Sequence, residues 1–196
     1  MIVGLHGKMG AGKSTVADSL VSVLDMKFYI DSTIKSFATP IYKLISLLFD
    51  ETVEEIKRNK NTLVRPRSFT GLRSYRELLQ NVGMELRDIV NADIWIDALF
   101  GRGNQKVLLE WTGGYNWWVI DDLRFINEFY KIKEVGGKLI KVKRDIQNNL
   151  KDDILNNQSE IDLDSIPDDE WDLILDNNYS LDILKNNLEK YILTIL

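Results

Sequence analysis

IVGLHGKMGAGKSTV, residues 2–16, is the stretch of sequence that decides the fold. It opens with a short apolar run, residues 2–5, which is typical of a buried strand. From Ser14 to Leu24 the apolar residues recur at helical spacing. Between these segments, residues 7–14 satisfy the pattern G-x-x-x-x-G-K-[ST], and a strand before it and a helix after it are the context that the pattern requires. The stretch therefore predicts a phosphate-binding loop.

The residue types of this loop each have a chemical reason. Glycines let successive backbone N–H groups turn toward phosphate oxygens, and the positive end of the following helix dipole strengthens their attraction for an anion. Lys13 is expected to reach the β- and γ-phosphates of ATP, and the Ser14 hydroxyl is expected to bind Mg²⁺. The residues predicted to bind ATP are Gly7, Gly10, Ala11, Gly12, Lys13, Ser14 and Thr15.

The composition of the chain limits the number of domains, the kinds of metal site and the kinds of partner that are expected. The 196 residues, 44% of them hydrophobic, suffice for one domain with a core, and the single-domain interpretation covers residues 1–196. The absence of cysteine and the presence of one histidine exclude disulfides and a zinc site built from these residues. A net charge of −5 argues against a nucleic acid polymer as partner. No apolar run has the roughly 20 residues that span a bilayer and no secretory signal is evident, so a cytoplasmic protein that does not bind membranes is expected.

Strand-like and helix-like segments alternate along the chain. The strand-like runs are residues 2–5, 27–30, 117–121, 138–143 and 172–175. The helix-like segments are residues 14–24, 34–49, 54–61, 74–99, 125–134 and 181–196, of which 74–99 is either one long helix or a bent pair. Residues 106–116 are ambiguous and are compatible with an inserted hairpin. The alternation predicts a three-layer α/β/α fold around a parallel sheet of about five strands.

A basic stretch and the helix that follows it suggest a second anion site. Seven basic residues and no acidic one lie between positions 57 and 76, and most are arginines, which suit bidentate capture of phosphate. Arg76, Gln80, Gly83 and Arg87 recur at steps of four, three and four, so they share one helix face. The apolar residues expected on the buried side of this helix are Leu78, Leu79, Val82, Leu86 and Ile89. An arginine for phosphate, an amide for a base or sugar edge and a glycine for close approach form a candidate acceptor-binding face. The alternative is the polar face of an ordinary amphipathic helix.

Asp122, Leu123 and Arg124 follow the apolar run 117–121. In an open parallel sheet, ligands bind beyond the carboxyl ends of the strands, which places this segment on the same edge as the phosphate-binding loop. Asp122, or alternatively Asp121, could hold Mg²⁺, and Arg124 could bind the acceptor or the phosphoryl group in transfer. The alternative is an Asp–Arg ion pair with Glu128 stabilising a helix N-terminus.

The absence of a guanine-binding motif narrows the class of P-loop protein. A GTPase should carry an N-K-x-D guanine-binding motif late in the chain, and Asn59-Lys60-Asn61-Thr62 lacks the aspartate and comes too early. A small kinase remains as the favoured class of protein. Such a kinase must offset the repulsion between two anionic substrates with cations, and the basic stretch between positions 57 and 76 can supply them. Two alternatives stay open: a kinase of another small metabolite, and a non-catalytic module that binds nucleotide as a switch.

Several segments, in order, resemble the phage-type deoxynucleoside monophosphate kinases, relatives of nucleoside monophosphate kinases in the P-loop NTPase superfamily. The resemblance rests on the phosphate-binding loop and on RELLQNVGMELR, DIWIDAL, VIDDLRFINE, GGKLIKVKR, NNQSE and DLILDNNYSLDIL. It implies transfer of the ATP γ-phosphate to a deoxynucleoside monophosphate with Mg²⁺. It also implies a homodimer, and the host cytoplasm as location if the gene is phage-encoded.

The resemblance further implies roles for particular residues. Residues of about 57–99 would bind the acceptor, and residues of about 144–160 would form a lid over the phosphates. Trp95 is expected to stack on the base, and Met84 stands where a small hydroxyl residue is common in the family. The predicted catalytic residues are Lys13, Arg124 and Arg144, and the predicted metal-binding residues are Ser14 and Asp122. The substrate-binding residues are Arg76, Gln80, Gly83, Met84, Trp95, Asp122, Arg124 and Glu128.

Overall fold

The structure is a computed structural model, and it describes residues 1–64, 73–101, 117–145 and 162–196. Its described residues form two compact units. The first comprises Met1–Ser36 and Gly103–Leu196, and the second comprises Phe37–Arg102. Arg65 and Arg67 of the basic stretch, the segment 106–116 and lid residues 146–160 lie outside the described residues. The assignment of residues 1–196 to a single domain stays a prediction.

The first unit is built on a five-stranded parallel sheet. Its strands lie in the order β2-β5-β1-β6-β7, so the strand order reverses at the central β1. Registers such as Gly4 opposite Ile120 and His6 opposite Lys141 align the carboxyl ends of β1, β5 and β6. The strands are β1 (Ile2–His6), β2 (Ser32–Lys35), β5 (Trp117–Ile120), β6 (Lys138–Lys143) and β7 (Leu173–Asp176).

Helices cover both faces of this sheet. Among the described residues, the α-helices of this unit are α1 (Lys13–Phe28), α6 (Ile126–Glu134) and α7 (Leu181–Ile195). Val3 and Leu5 of β1 belong to a core cluster with residues of α1 and α7. Gly4 points to the other face, where a Cβ would lie 2.6 Å from Ile132 of α6. Because both faces are covered, all five residues of β1 are buried, as expected for a central parallel strand.

The second unit is mainly helical. Its elements are α2 (Thr39–Phe49), α3 (Val53–Arg58), β3 (Leu63–Val64), β4 (Arg73–Ser74), α4 (Tyr75–Ile89) and α5 (Ile94–Phe100). The β3 and β4 strands pair in antiparallel fashion. The α4 helix begins with a capping box, in which the Ser74 hydroxyl accepts from the Glu77 N–H and the Glu77 carboxylate accepts from the Ser74 N–H. The Ser74 N–H and hydroxyl both donate to the Glu77 carboxylate, and these two hydrogen bonds lower the pKa of Glu77.

The predicted fold class is confirmed: a five-stranded parallel sheet with helices on both faces. One predicted strand is wrong, because residues 27–30 hold the end of α1 and the turn after it. That helix continues to Phe28 and ends at Tyr29, which has a left-handed backbone and a φ of 53°. The second strand begins at Ser32 instead, opposite Trp117 of β5. A short apolar run does not distinguish a strand from the last turn of a helix.

The segment 74–99 is a pair of helices, which was one of the two predicted arrangements. Ile89 was expected on the buried side of its helix, but its side chain is 75% exposed at the C-terminal end of α4. Leu78 and Leu79, nearer the middle of the helix, are buried as expected. In the parts of the chain that the structure describes, no helix combines the length and apolarity of a membrane span.

Candidate active site

The five parallel strands of the first unit bring their following loops to one edge of the sheet. The phosphate-binding loop follows β1, and Ser36 follows β2. Asp122 and Arg124 follow β5, Arg144 follows β6, and residues 177–178 follow β7. Because ligands bind at this edge of a parallel sheet where the strand order reverses, the edge at β1 is the candidate active site.

The glycines of the phosphate-binding loop are required by close contacts and backbone angles. A Cβ on Gly7 would lie 2.6 Å from the Val142 carbonyl oxygen of the neighbouring β6, so only glycine fits there. Gly10 and Gly12 have φ angles of 87° and 84°, in the left-handed region that favours glycine. The Ala11 N–H donates to the Lys8 carbonyl at 3.0 Å and closes the turn.

The N-terminus of α1 carries backbone N–H groups without a side-chain cap. Its N-cap residue is Gly12, no capping hydrogen bond from a side chain is present among the described residues, and the first turn has no acidic residue. The N-termini of α3, α4 and α7 are capped by Thr52, Ser74 and Ser180, whereas α2 and α5, like α1, begin without a side-chain capping hydrogen bond in the described part of the chain. The uncapped N–H groups and the helix dipole make the start of α1 suited to bind an anion.

The two lysines of the loop differ in their surroundings. The Lys13 ammonium donates to the Gly7 carbonyl and to the Lys8 carbonyl, the latter at 3.2 Å, so it lies over the loop. The Lys8 ammonium forms an ion pair with Asp164 at 3.1 Å, and both side chains are about half exposed. Of the two loop lysines, Lys13 is therefore the one that lies over the phosphate-binding loop, whereas Lys8 contacts the turn that begins at Asp162.

The segment after β5 is held by hydrogen bonds of its own. The Ser36 hydroxyl donates to the Asp122 carboxylate at 2.6 Å, which ties the ends of β2 and β5 together. The buried Glu128 carboxylate accepts from the backbone N–H groups of Arg124 and Phe125 at 2.9 and 3.1 Å. Glu128 thus stabilises the N-terminus of α6 and fixes the backbone that carries Arg124. Direct contact of Glu128 with a substrate stays a prediction.

His6, the last residue of β1, links the phosphate-binding loop to the same segment. It is 4% exposed, and its ring stacks on Trp171 with centroids 5.3 Å apart. Its Nδ1 lies 3.1 Å from the Leu123 carbonyl oxygen, which can only accept, so Nδ1 carries the hydrogen. Burial lowers the pKa of His6 to about 4. The imidazole is therefore neutral near pH 7 and holds the residue before Arg124 beside the start of the loop.

Two further residues at this edge were not among the predicted site residues. Ser36 contacts Asp122, and the buried Asn177 side chain donates to the Ala11 carbonyl at 2.9 Å. The available sequence signal for Asn177 was a pair of polar residues immediately after the β7 strand. Arg144, which was predicted to be catalytic, has its Nη1 3.8 Å from the position that a Cβ on Gly12 would occupy.

In the second unit, the predicted acceptor-binding residues contribute to the packing of α4 and its neighbours. The Trp95 indole of α5 is buried and donates to the Gly83 carbonyl of α4 at 2.9 Å. The close approach at Gly83 is to Ile41 of α2, which a Cβ would meet at 3.2 Å. The Arg76 Nε donates to Asn61 at 3.0 Å. Gln80 and Met84 are half-buried on α4, and binding of substrate by this set stays a prediction.

The basic stretch is partly engaged within the second unit. The Lys57 and Lys60 ammonium groups lie 5.6 and 5.5 Å from the centroid of the Tyr42 ring, in cation–π geometry. Arg87, further along α4, is buried and donates to the Ala92 carbonyl at 2.8 Å, so it stabilises the connection to α5. These cations hold the unit together as well as giving it positive charge.

The oxygen donors at the sheet edge fit Mg²⁺ by their chemistry. The Ser14 hydroxyl is exposed in the first turn of α1, and Asp122 offers a half-buried carboxylate. Mg²⁺ in kinases binds one or two such protein oxygens and completes its coordination with phosphate oxygens and water. Ser14 and Asp122 are therefore suitable metal-binding residues, and this role stays a prediction.

No family model matches the chain. The chain is 31% identical over 196 aligned residues to a protein of Acanthamoeba polyphaga mimivirus named "Putative deoxynucleotide monophosphate kinase", in a match that covers 93% of this chain and 91% of the viral protein.

Two solved structures resemble the chain more distantly. Shikimate kinase from Aquifex aeolicus has a TM-score of 0.45 and 13% identity, over 100% of this chain and 96% of its own. Dephospho-CoA kinase from Campylobacter jejuni has a TM-score of 0.49 and 15% identity, over 99% of this chain and 96% of its own. At these values neither likeness indicates a substrate. The match to the viral protein, at 31% identity over nearly the whole length of both chains, agrees with the phosphate-binding loop. The chain therefore belongs to the family of P-loop kinases that includes the mimivirus protein, and it is a phosphotransferase.

Proposed function

We propose that the protein transfers the γ-phosphate of ATP to a deoxynucleoside monophosphate, producing a deoxynucleoside diphosphate and ADP. The observation that carries this proposal is the near full-length likeness to the mimivirus protein, whose name specifies a deoxynucleotide monophosphate kinase. A cytoplasmic location and a homodimer remain predictions from the family resemblance.

The ATP end of the reaction is assigned to the phosphate-binding loop. The uncapped N–H groups of α1 and the Lys13 ammonium bind the β- and γ-phosphates. Arg124 and Arg144, which follow neighbouring strands of β1, neutralise negative charge on the phosphoryl group as it transfers. Mg²⁺, held by Ser14 and Asp122, would add positive charge at the same phosphates.

The acceptor end needs cations and no general base. An oxygen of the acceptor phosphate forms the new bond to the γ-phosphorus, and the bond from that phosphorus to the β-phosphate oxygen breaks, so that ADP leaves. Because the attacking oxygen is already anionic, no proton has to be removed from it. The residues proposed to bind the acceptor are Arg76, Gln80, Gly83, Met84, Trp95, Asp122, Arg124 and Glu128.

An acceptor screen tests the proposal. Purified protein, ATP and Mg²⁺ are incubated with each of the four common deoxynucleoside monophosphates, the four ribonucleoside monophosphates, shikimate and dephospho-CoA, and the products are separated by chromatography. We expect a diphosphate product from at least one deoxynucleoside monophosphate. Phosphorylation of an acceptor outside the nucleotides, with no deoxynucleoside diphosphate formed, would contradict the proposal and leave the assignment as a P-loop kinase intact.

A further inference from the structure

We propose that Asn177 is a positioning residue for the phosphate-binding loop, holding the Ala11–Gly12 peptide in the orientation that nucleotide binding requires. The inference rests on the part of the proposed function that assigns ATP to this loop. It does not depend on the identity of the acceptor.

Asn177 donates hydrogen bonds at this site through both its backbone N–H and its side-chain amide. Its backbone N–H donates to the Lys143 carbonyl at 2.8 Å, which extends the pairing of β7 with β6 by one residue. Its side-chain Nδ2 donates to the Ala11 carbonyl at 2.9 Å, across 166 positions of sequence. The residue is only 8% exposed, so its side chain has little freedom to point elsewhere. Asn177 thus connects the end of one strand to the turn that follows another.

The hydrogen bond fixes the direction of a whole peptide group. A trans peptide is planar, and its C=O and N–H point in opposite directions. Because the Ala11 carbonyl points at Asn177, the Gly12 N–H points away from it. Gly12 is the N-cap residue of α1, so this N–H lies at the uncapped helix start that binds phosphate in loops of this kind. Loss of the Asn177 amide would free the peptide to rotate.

The same contact explains why position 12 is glycine. Its φ of 84° is unfavourable for other residues, and a Cβ there would collide with the Asn177 Nδ2. The Arg144 Nη1 lies 3.8 Å from that same Cβ position. Asn177 also holds Lys143, the residue before Arg144, through its backbone. Asn177 therefore positions the loop through its side-chain amide, and through its backbone N–H it supports the strand end that carries a predicted catalytic arginine.

The chemistry at position 177 is specific for an amide. The Ala11 carbonyl needs a hydrogen-bond donor, and an aspartate of nearly the same shape would place a carboxylate oxygen against the carbonyl oxygen. Alanine would remove the donor and leave the buried carbonyl without this partner. The Asn178 side chain instead pairs with Asp145, through hydrogen bonds of 2.9 and 3.2 Å, and it is exposed. Because Asp145 follows Arg144, Asn178 lies too close to the site to serve as a control, and the exposed Asn186 of α7 is used instead.

The test measures nucleotide binding without any acceptor, so that a wrong acceptor assignment cannot affect it. Affinities for ADP and for a non-hydrolysable ATP analogue, each with Mg²⁺, are determined by calorimetry for the wild type and for Asn177→Ala, Asn177→Asp and the control Asn186→Ala. We expect about tenfold weaker binding for Asn177→Ala, from the loss of one oriented donor group at the loop, and still weaker binding for Asn177→Asp. Asn186→Ala should stay within about twofold of the wild type.

Melting temperatures separate positioning from general stability. Asn177→Asp keeps the shape of the side chain, so it reports on the loop even where Asn177→Ala is too unstable to assay. Where an acceptor is turned over, KM for ATP should rise while KM for the acceptor stays unchanged. Near-wild-type nucleotide affinity in both Asn177 variants, with only a lower melting temperature, would overturn the proposal.

Discussion

The phosphate-binding loop of the first unit and the α4–α5 region of the second use their polar groups differently. The N–H groups at the start of α1 have no side-chain cap among the described residues. The start of α4 is closed by the Ser74–Glu77 capping box, and the polar groups of Trp95 and Arg87 bond to carbonyls within the unit. One region offers backbone groups to a ligand, and the other uses many of its groups for its own packing.

This difference shows what kind of sequence pattern identifies a binding site. The phosphate-binding loop needs glycine at position 7 because of a close backbone contact, and at position 12 because of a positive φ. An ordinary turn does not combine these two requirements. A helix face with an arginine, an amide and a glycine is compatible with ligand binding and with packing. In α4 the glycine contacts Ile41 and the neighbouring tryptophan bonds to a backbone carbonyl. Mutations can separate these two interpretations.

The largest expected effect is at Lys13. Replacing it by alanine should lower kcat/KM for phosphoryl transfer by about 10²–10³-fold, because a cation at the transferring phosphates is lost. The matched control is Lys8→Ala, since Lys8 forms a half-exposed ion pair with Asp164. It should change kcat/KM by less than about threefold. Equal losses in the two variants would remove the distinction between the two loop lysines.

His6 should make the stability of the protein depend on pH. Its pKa is about 4 in the folded protein and about 6.5 when unfolded, so the unfolded state binds more protons between these values. The free energy of unfolding should therefore fall by about 3 kcal/mol as the pH drops from 6.5 to 4. Urea unfolding at several pH values measures this, and the fall should be smaller by that amount in His6→Gln. Parallel curves for the two proteins would show that His6 is not buried as a neutral group.

Trp95 tests the packing interpretation of the second unit. Trp95→Phe keeps an aromatic ring for stacking on a base but removes the donor to the Gly83 carbonyl. We expect the free energy of unfolding to fall by about 1–3 kcal/mol, because a buried carbonyl loses its partner. KM for the acceptor should change little if stacking is the binding role. A large rise in KM without loss of stability would show that the indole N–H binds substrate.

Arg76 and Arg87 form a pair on one helix with contrasting surroundings. Arg76→Ala should raise KM for the acceptor by about tenfold, the effect of one lost phosphate contact, with the melting temperature nearly unchanged. Arg87→Ala should lower the melting temperature instead, because the buried Arg87 bonds to the Ala92 carbonyl. Steady-state kinetics and thermal unfolding of both variants distinguish the roles. A loss of stability from Arg76→Ala with unchanged KM would assign α4 to packing alone.

The sheet and the phosphate-binding loop could be predicted because their signals are local. The buried run 2–5, the glycine-lysine pattern and the alternation of strands and helices each follow from neighbouring residues. The exception was the strand Ser32–Lys35, whose polar residues are held by pairing with β5 and carry no apolar pattern of their own. Its position depends on a partner 85 positions away, opposite Trp117, which local patterns do not reveal.

The supporting contacts of the site could not be predicted for a related reason. Ser36 with Asp122, His6 with Leu123 and Asn177 with Ala11 join residues that are far apart in sequence. Only the strand order brings them to one edge. The part of Glu128 in stabilising the start of α6 was anticipated as an alternative, since its spacing from Arg124 is local.

The proposed transfer of the terminal phosphoryl group of ATP to a deoxynucleoside monophosphate can be tested by its stoichiometry. ADP and deoxynucleoside diphosphate are quantified together over a time course, with and without each acceptor. We expect one deoxynucleoside diphosphate for each ADP, and almost no ADP without acceptor. ADP that accumulates at the same rate whether or not a deoxynucleoside monophosphate is present, with no diphosphate formed, would contradict it.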